Sequence, residues 1–252
     1  MLNHSLIYKK LLRVNMSPKG QHAFMGGDTE QLFKHNLQTQ PTDWYYRTHA
    51  ITYTLNQDGY RIDQELNEID WAMSTVIFGC SNVFGDGIEE QYTISRQLET
   101  LISEPVINLG IGGASAELIR HNITLLLEYL PKPRRVIILW PDRTRCVSYE
   151  HGNPSAHGSW NIEQNTLADL WNQGDNAANQ FWFTRTAVKQ QCKDIEYIDA
   201  CVNTDDAVLI DTKSVFDLRH TPDAMGSRDL RHPSPAACKC IAEWIRSQIT
   251  SV

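Results

Sequence analysis

The chain has 252 residues, 41% of them hydrophobic and 21% charged, proportions that exclude a disordered polymer and supply enough apolar surface for one domain with a sizeable core. A formal net charge of −7 excludes the clustered basic surface on which nucleic-acid binding depends. No apolar run approaches the roughly 20 residues of a bilayer-spanning helix, and the first ten residues lack the charged-then-apolar order of a secretory leader. The expectation is therefore a cytoplasmic protein with neither a membrane nor a nucleic acid as partner.

Residues 1–43 are polar and weakly periodic, with turn signals at Gly26-Gly27-Asp28 and Pro41-Thr42-Asp43, and are expected to wrap the surface. From Tyr45 to Leu55 the chain is rich in aromatic and β-branched residues and then meets Asn56-Gln-Asp-Gly59, a hairpin-type turn. A small β ribbon outside the main sheet follows from that pattern. Residues 1–70 read as an N-terminal extension packed on a main domain spanning 71–252.

The main domain opens with Ser74-Thr-Val-Ile-Phe-Gly-Cys-Ser-Asn-Val-Phe-Gly-Asp-Gly87. Val76, Ile77 and Phe78 form an apolar run too short for a helix, as in a strand buried on both faces of a parallel sheet. The run stops at Gly79 and delivers Ser81 into a turn that glycines allow to bend sharply. Ile88, Tyr92, Ile94, Leu98, Leu101 and Ile102 then have helical spacing. Pro105–Leu109 is a second short strand, opening into Gly110-Ile-Gly-Gly-Ala-Ser115. A second helix carries Leu118, Ile119, Ile123, Leu126 and Leu127 and ends before Pro131. Arg135–Trp140 is a third strand, stopped by Pro141. Strands alternating with helices in this way build right-handed βαβ units and a parallel sheet covered on both sides.

The rhythm breaks at residues 146–175, where His151–Trp160 reads as a loop, a candidate lid or substrate wall. Ala177–Gln191 resumes as a helix, Ile195–Ile198 and Val208–Ile210 are candidate strands, and Ser234–Ile249 closes the chain as a helix. Six cysteines are scattered, and Cys238 and Cys240 face different sides of that last helix, so reduced thiols are expected. A zinc site built from them with His232 lacks a second close pair of ligands, and neither a metal nor an organic cofactor is expected.

Chemistry collects in two stretches. Ser81 stands at the carboxyl end of the first core strand, where open α/β sheets place their ligands. Before the last helix, Ser227-Arg-Asp-Leu-Arg-His-Pro-Ser234 puts Asp229 three residues ahead of His232. A serine hydroxyl is a weak nucleophile: it requires a base, and the base requires a carboxylate that holds its tautomer and steadies the imidazolium.

Phe78-Gly-Cys-Ser-Asn-Val-Phe-Gly85 resembles the first block of the SGNH, or GDSL-type, hydrolase superfamily. Asn108-Leu-Gly-Ile-Gly-Gly113 resembles its second block, and Asp229-Leu-Arg-His232 its last. Phe-Gly-Cys-Ser, with Arg228-Asp229 before His232 and Asn56-Gln-Asp-Gly-Tyr-Arg61 upstream, resembles a branch known from bacteria and tailed phages, so a phage-encoded copy is expected to be virion-associated. The resemblance implies a three-layer α/β/α sandwich on a flavodoxin-like parallel sheet of order 2-1-3-4-5. It also implies a triad of Ser81, His232 and Asp229, and an oxyanion hole formed by the backbone N–H groups of Ser81 and Gly113. The implied reaction is ester hydrolysis through an acyl-serine.

The third block departs from the pattern. Where the family usually has Gly-x-Asn, this chain has Leu139-Trp-Pro-Asp142, and an ionised aspartate cannot donate to an oxyanion. Asp142 stays protonated, or Arg143, Thr144 or Arg145 supplies a donor, or the site is weakened. A neighbouring donor is favoured because Arg143 and Arg145 share the strand-exit turn. Trp140 and Trp160, with Arg145, are candidate substrate contacts; stacking of the two indoles on a sugar ring favours a short-chain, O-acetyl carbohydrate ester. Three rivals stay open: a binding or structural module that has lost the reaction, a phosphate cradle at Gly110–Gly113, and Cys80 as the nucleophile.

Overall fold

The computed structural model describes residues 11, 18–150, 153–158, 166–209, 211–214 and 226–249. In chain order the elements are β1 (Gly20–His22), α1 (Glu30–Thr39), β2 (Tyr53–Leu55), β3 (Thr75–Gly79), α2 (Ser81–Phe84), α3 (Ile94–Ile102), β4 (Val106–Gly110), α4 (Ala116–Tyr129) and β5 (Arg135–Trp140). They continue with β6 (Cys146–Glu150), β7 (Asn153–His157), α5 (Thr166–Trp171), α6 (Asn176–Gln191), β8 (Glu196–Cys201), α7 (Thr204–Leu209), β9 (Lys213–Ser214) and α8 (Pro235–Gln248).

β3 is central because its apolar run has no polar face to give to water. It pairs in parallel with β4 on one side and β5 on the other, and the sheet runs β4-β3-β5-β8-β9, the 2-1-3-4-5 order expected from the sequence. Successive side chains leave opposite faces. Val76 and Phe78 pack with Ile119, Ile123, Phe181 and Val188 of α4 and α6. Ile77 packs with Ile94, Leu98, Ile241 and Ile245 of α3 and α8. The result is three layers with two cores, and burying each such aliphatic side chain contributes about 1.5–3 kcal/mol. Among the described residues no helix is long and apolar enough to cross a membrane.

Helix starts are set by side-chain caps. Thr93, Ser115 and Ser234 accept from the backbone N–H groups of Arg96, Leu118 and Ala237, satisfying donors that the first helical turn leaves open. At α8 the capping Ser234 is followed by Pro235, whose missing N–H costs nothing there.

Four readings of the sequence are corrected. Within the polar stretch 1–43 a helix forms, α1, capped by the Thr29 hydroxyl; it fully buries only Asn36, and its apolar contact is made chiefly by the half-buried Phe33, too short a face to read. The ribbon exists, but β2 pairs antiparallel with β1, 30 residues upstream, not across the Asn56–Gly59 turn, and Tyr45–Arg47 is a 3-10 turn. Within the expected loop 151–160, β7 pairs antiparallel with β6, Cys146 opposite His157. Val208 and Leu209 belong to α7, because Asn203 Oδ1 accepts from the Asp206 N–H at 2.8 Å and starts a helical turn; Ile210 lies outside the described residues. The edge strand of the sheet is β9 instead.

Candidate active site

Ser81 is the first residue of α2, immediately beyond the end of β3. A Cβ at Gly79 would collide with the Val83 side chain, so only glycine lets α2 fold back so tightly over the strand. Buried Asn108 of β4 fixes the turn: its Nδ2 donates to Val83 O at 2.8 Å and its Oδ1 accepts from the Gly110 N–H at 2.9 Å. One side chain thereby ties the serine turn to the glycine loop. Below them Arg61 is buried, donates to Gly85 O at 2.6 Å and Ile88 O at 2.8 Å, and lies 4.4 Å over the Tyr53 ring.

The loop before α8 delivers the base. Leu230 takes φ 57°, a left-handed conformation uncommon for a branched residue, and the tight turn brings Asp229 beneath the His232 ring. The Asp229 carboxylate accepts from the Ser227 hydroxyl at 2.6 Å, from the Arg231 N–H at 3.0 Å and from His232 Nδ1 at 2.6 Å. Ser81 Oγ lies 2.7 Å from His232 Nε2. Because an ionised carboxylate only accepts, the proton on the ring sits at Nδ1 and Nε2 is left to accept from the serine hydroxyl.

Burial opposes the charge on Asp229, but the hydrogen bonds and charge of its partners, His232 first, hold its pKa below the usual carboxylate range. His232 is likewise penalised by burial, yet the hydrogen bond it donates to Asp229 and the negative charges of Asp86 and Asp229 raise its pKa above 6.5. The arrangement is a base held in one tautomer against a hydroxyl, and it can accept and return a proton at Ser81.

The pair opens onto a cleft of about 1000 Å³. One wall is the β4–α4 loop with Gly112 and Gly113, the latter at φ 79°. Arg145, just before β6, with Ser155 and Ala156 of β7, forms part of another wall. The N-terminal stretch contributes Gly26, Gly27, Thr29, Gln31 and His35, a contribution that its polar, aperiodic sequence did not signal beyond the Gly26-Gly27 turn. Asp86, read only as a turn residue between two glycines, is also in the wall and is 2% exposed.

Three sequence readings of the site are corrected, and a fourth falls outside the described chain. Trp140 is fully buried, packs edge-on against Phe181 and donates from Nε1 to Asp199 at 3.0 Å; it is core, on the face set by its alternation with Val136 and Ile138. Asp142 is outside the cleft wall and accepts from Thr144 N and Oγ1 and from Asn203 Nδ2. Despite burial these bonds lower its pKa, so it is not a protonated donor. Arg143 donates to Asp206 at 2.8 Å from its guanidinium and is turned from the cleft, which leaves Arg145 as the arginine of that turn that reaches it. Trp160 lies outside the described residues. Cys80 is buried in the core and does not line the cleft.

Neither a protein-family model nor a curated protein matches the sequence. Among solved structures, the chain is similar to a protein assigned to the lipolytic G-D-S-L family from Desulfitobacterium hafniense DCB-2, at 15% identity and a TM-score of 0.47 over 70% of this chain and 99% of that one. It is also similar to a member of the same family from Veillonella parvula DSM 2008, at 14% identity and a TM-score of 0.42 over 68% of this chain and 95% of that one. The fold itself is a five-stranded parallel sheet of order 2-1-3-4-5 between helical layers, with Ser81 at the end of its central strand and His232 just ahead of its last helix.

Proposed function

We propose that the protein is a serine ester hydrolase working through an acyl-serine, with a short-chain, O-acetyl ester as substrate and a small polyol or glycan as the alcohol. The observation that carries this reading is the continuous chain of short hydrogen bonds from Ser81 through His232 to Asp229 at the floor of the cleft. Ser81 Oγ attacks the ester carbonyl carbon as its proton passes to His232 Nε2. The backbone N–H groups of Ser81 and Gly113 hold the oxyanion. The bond to the alcohol oxygen breaks as Nε2 returns the proton to it. Water then attacks the acyl carbon, gives its proton to Nε2, and Ser81 leaves with that proton restored. Asp229 holds the ring and balances the imidazolium throughout.

The test is Ser81→Ala. Hydrolysis of p-nitrophenyl acetate is expected to fall by about 10³-fold or more, with loss of labelling by a fluorophosphonate. Retention of both by the variant would refute the assignment. Asp142, held as a charged acceptor where the family usually places a donor, favours a second reading, a binding module without turnover. Wild-type protein that neither hydrolyses any ester nor takes the label would establish that alternative.

A further inference from the structure

The reaction above makes no use of Asp86, although its carboxylate sits in the wall of the cleft beside the base. Oδ2 accepts from the Gly27 N–H at 3.0 Å and lies 3.9 Å from His232 Nε2. Oδ1 is closed off from solvent and has no hydrogen-bond partner among the described residues, so the oxygen that lies beside the base and can take a second donor is Oδ2. A buried acceptor left open costs about 1–3 kcal/mol, more when charged, and burial pushes this group up to about 6. The surrounding backbone is shaped around it: Gly26 takes φ 58°, and a Cβ there would run into the carboxylate. A carboxylate kept at this cost, within the wall and with acceptor capacity to spare, has the form of a contact waiting for a donor.

The position of Asp86 says which part of a substrate would bring that donor. In ester cleavage His232 Nε2 must reach the alcohol oxygen, because it returns the proton there. Asp86 Oδ2 lies 3.9 Å from that same nitrogen, so a donor that bonds Oδ2 stands next to the alcohol oxygen. The gauche separation of two vicinal oxygens is itself a hydrogen-bond length, which lets one hydroxyl reach Asp86 while its neighbour is the esterified oxygen. The cleft lining also holds Thr29, Gln31, His35 and Arg231, beside Met25 and Leu32, and so offers polar groups to a hydroxylated leaving group.

We infer that Asp86 is a specificity-determining residue that accepts a hydrogen bond from a hydroxyl vicinal to the esterified oxygen, so that the protein selects monoacyl esters of 1,2-diols, sugars and other polyols, over esters of simple alcohols. This rests on the ester-hydrolase reading and deepens it. A site built to bond a substrate hydroxyl discriminates strongly against the analogue that lacks the donor, because its own buried polar group is then left unpaired.

The experiment compares kcat/KM for 2-hydroxyethyl acetate and 2-methoxyethyl acetate, which share the acyl group and a similar inductive effect but differ in the donor. Wild type is expected to favour the hydroxy ester by about tenfold or more. In Asp86→Ala the preference falls to within about twofold, whatever happens to the absolute rates. Asp86→Asn, which keeps the shape and one acceptor oxygen, has an intermediate preference and carries the comparison if the alanine variant fails to take the fluorophosphonate label. A wild-type ratio near one, or a ratio unchanged in a labelled Asp86 variant, overturns the inference, since a carboxylate that merely holds the Gly27 loop would lower both rates together. Absence of hydrolysis and of labelling in wild type would instead overturn the hydrolase reading.

Discussion

Arg228→Met tests whether the N-terminal stretch is locked to the catalytic loop by a buried ion pair. Arg228 and Asp28 are 3% and 1% exposed, and Arg228 Nε donates to both carboxylate oxygens at 2.9 and 3.0 Å. The guanidinium lies 4.4 Å over Phe24 and 5.2 Å over Phe33. Methionine keeps much of the stacking volume but removes the charge, leaving Asp28 with the Tyr53 hydroxyl as its remaining side-chain donor among the described residues. Breaking one side of a buried pair costs about 3–5 kcal/mol, chiefly because the other charge stays buried. For a chain of this length that corresponds to a drop in Tm of roughly 6–20 °C. Urea unfolding reports the change through the midpoint at unchanged slope. Asp28→Asn combined with Arg228→Met should recover a good part of the loss, because the uncompensated charge is gone. A single-variant cost below about 1 kcal/mol, or costs that simply add in the double variant, would refute the argument.

The raised pKa of His232 has a definite sign. Nε2 must be unprotonated to accept the serine proton, so kcat/KM should rise with pH through a limb above 6.5, and Asp86→Asn, which removes a negative charge near Nε2, should move that limb to lower pH; a limb that stays put in the variant contradicts the electrostatic account. Protonation of the folded protein's His232 stabilises it fully below pH 6.5, and this contribution fades as pH rises through the folded pKa. Asp142→Asn restores the side chain usual in the family but should give no gain: an amide loses an accepting position now used by Thr144 or Asn203, lowering stability by about 1–3 kcal/mol with kcat little changed. A tenfold rise in kcat would show instead that position 142 reaches the oxyanion.

The parts legible in the sequence are those in which one local pattern has one physical outcome. Val76-Ile77-Phe78 and Val136-Ile-Ile-Leu-Trp140 are apolar on both faces, and only a strand inside a covered parallel sheet buries both. The Asp229–His232 spacing before a Ser-Pro helix start is equally local. What was missed depends on pairings that no window of sequence contains. β1 finds β2 across 30 residues, and α1 is held by its Thr29 cap, by Asn36 reaching Arg228 O at 2.9 Å and by Phe33 packed between Phe24 and Trp44, an apolar face too short to stand out in the sequence. Trp140 was misread although its register was available, because chemical suggestiveness was weighed above the alternation that sends positions 136, 138 and 140 to one face. Asp86 was hidden by its glycine neighbours, which mark a turn equally well whether or not the residue between them serves a site.

The same division runs through the site itself. In the proposed reaction proton transfer falls to two stretches at the ends of core elements, the Ser81 turn beyond β3 and the Asp229–His232 loop before α8. One wall of the cleft is built from Gly26, Gly27 and α1, and its ties reach the core beside Ser81, Asp229 and His232. Gly27 bonds Asp86, Asp28 bonds Arg228, and Asn36 bonds the Arg228 carbonyl, one residue before Asp229. The stretch therefore cannot shift without moving either the carboxylate near Nε2 or the loop that holds the acid. Asp28 and Arg228 tie that wall to the loop holding Asp229, so under the proposed hydrolase reaction a change in the N-terminal wall should alter the ratio of kcat/KM between two esters before it abolishes fluorophosphonate labelling.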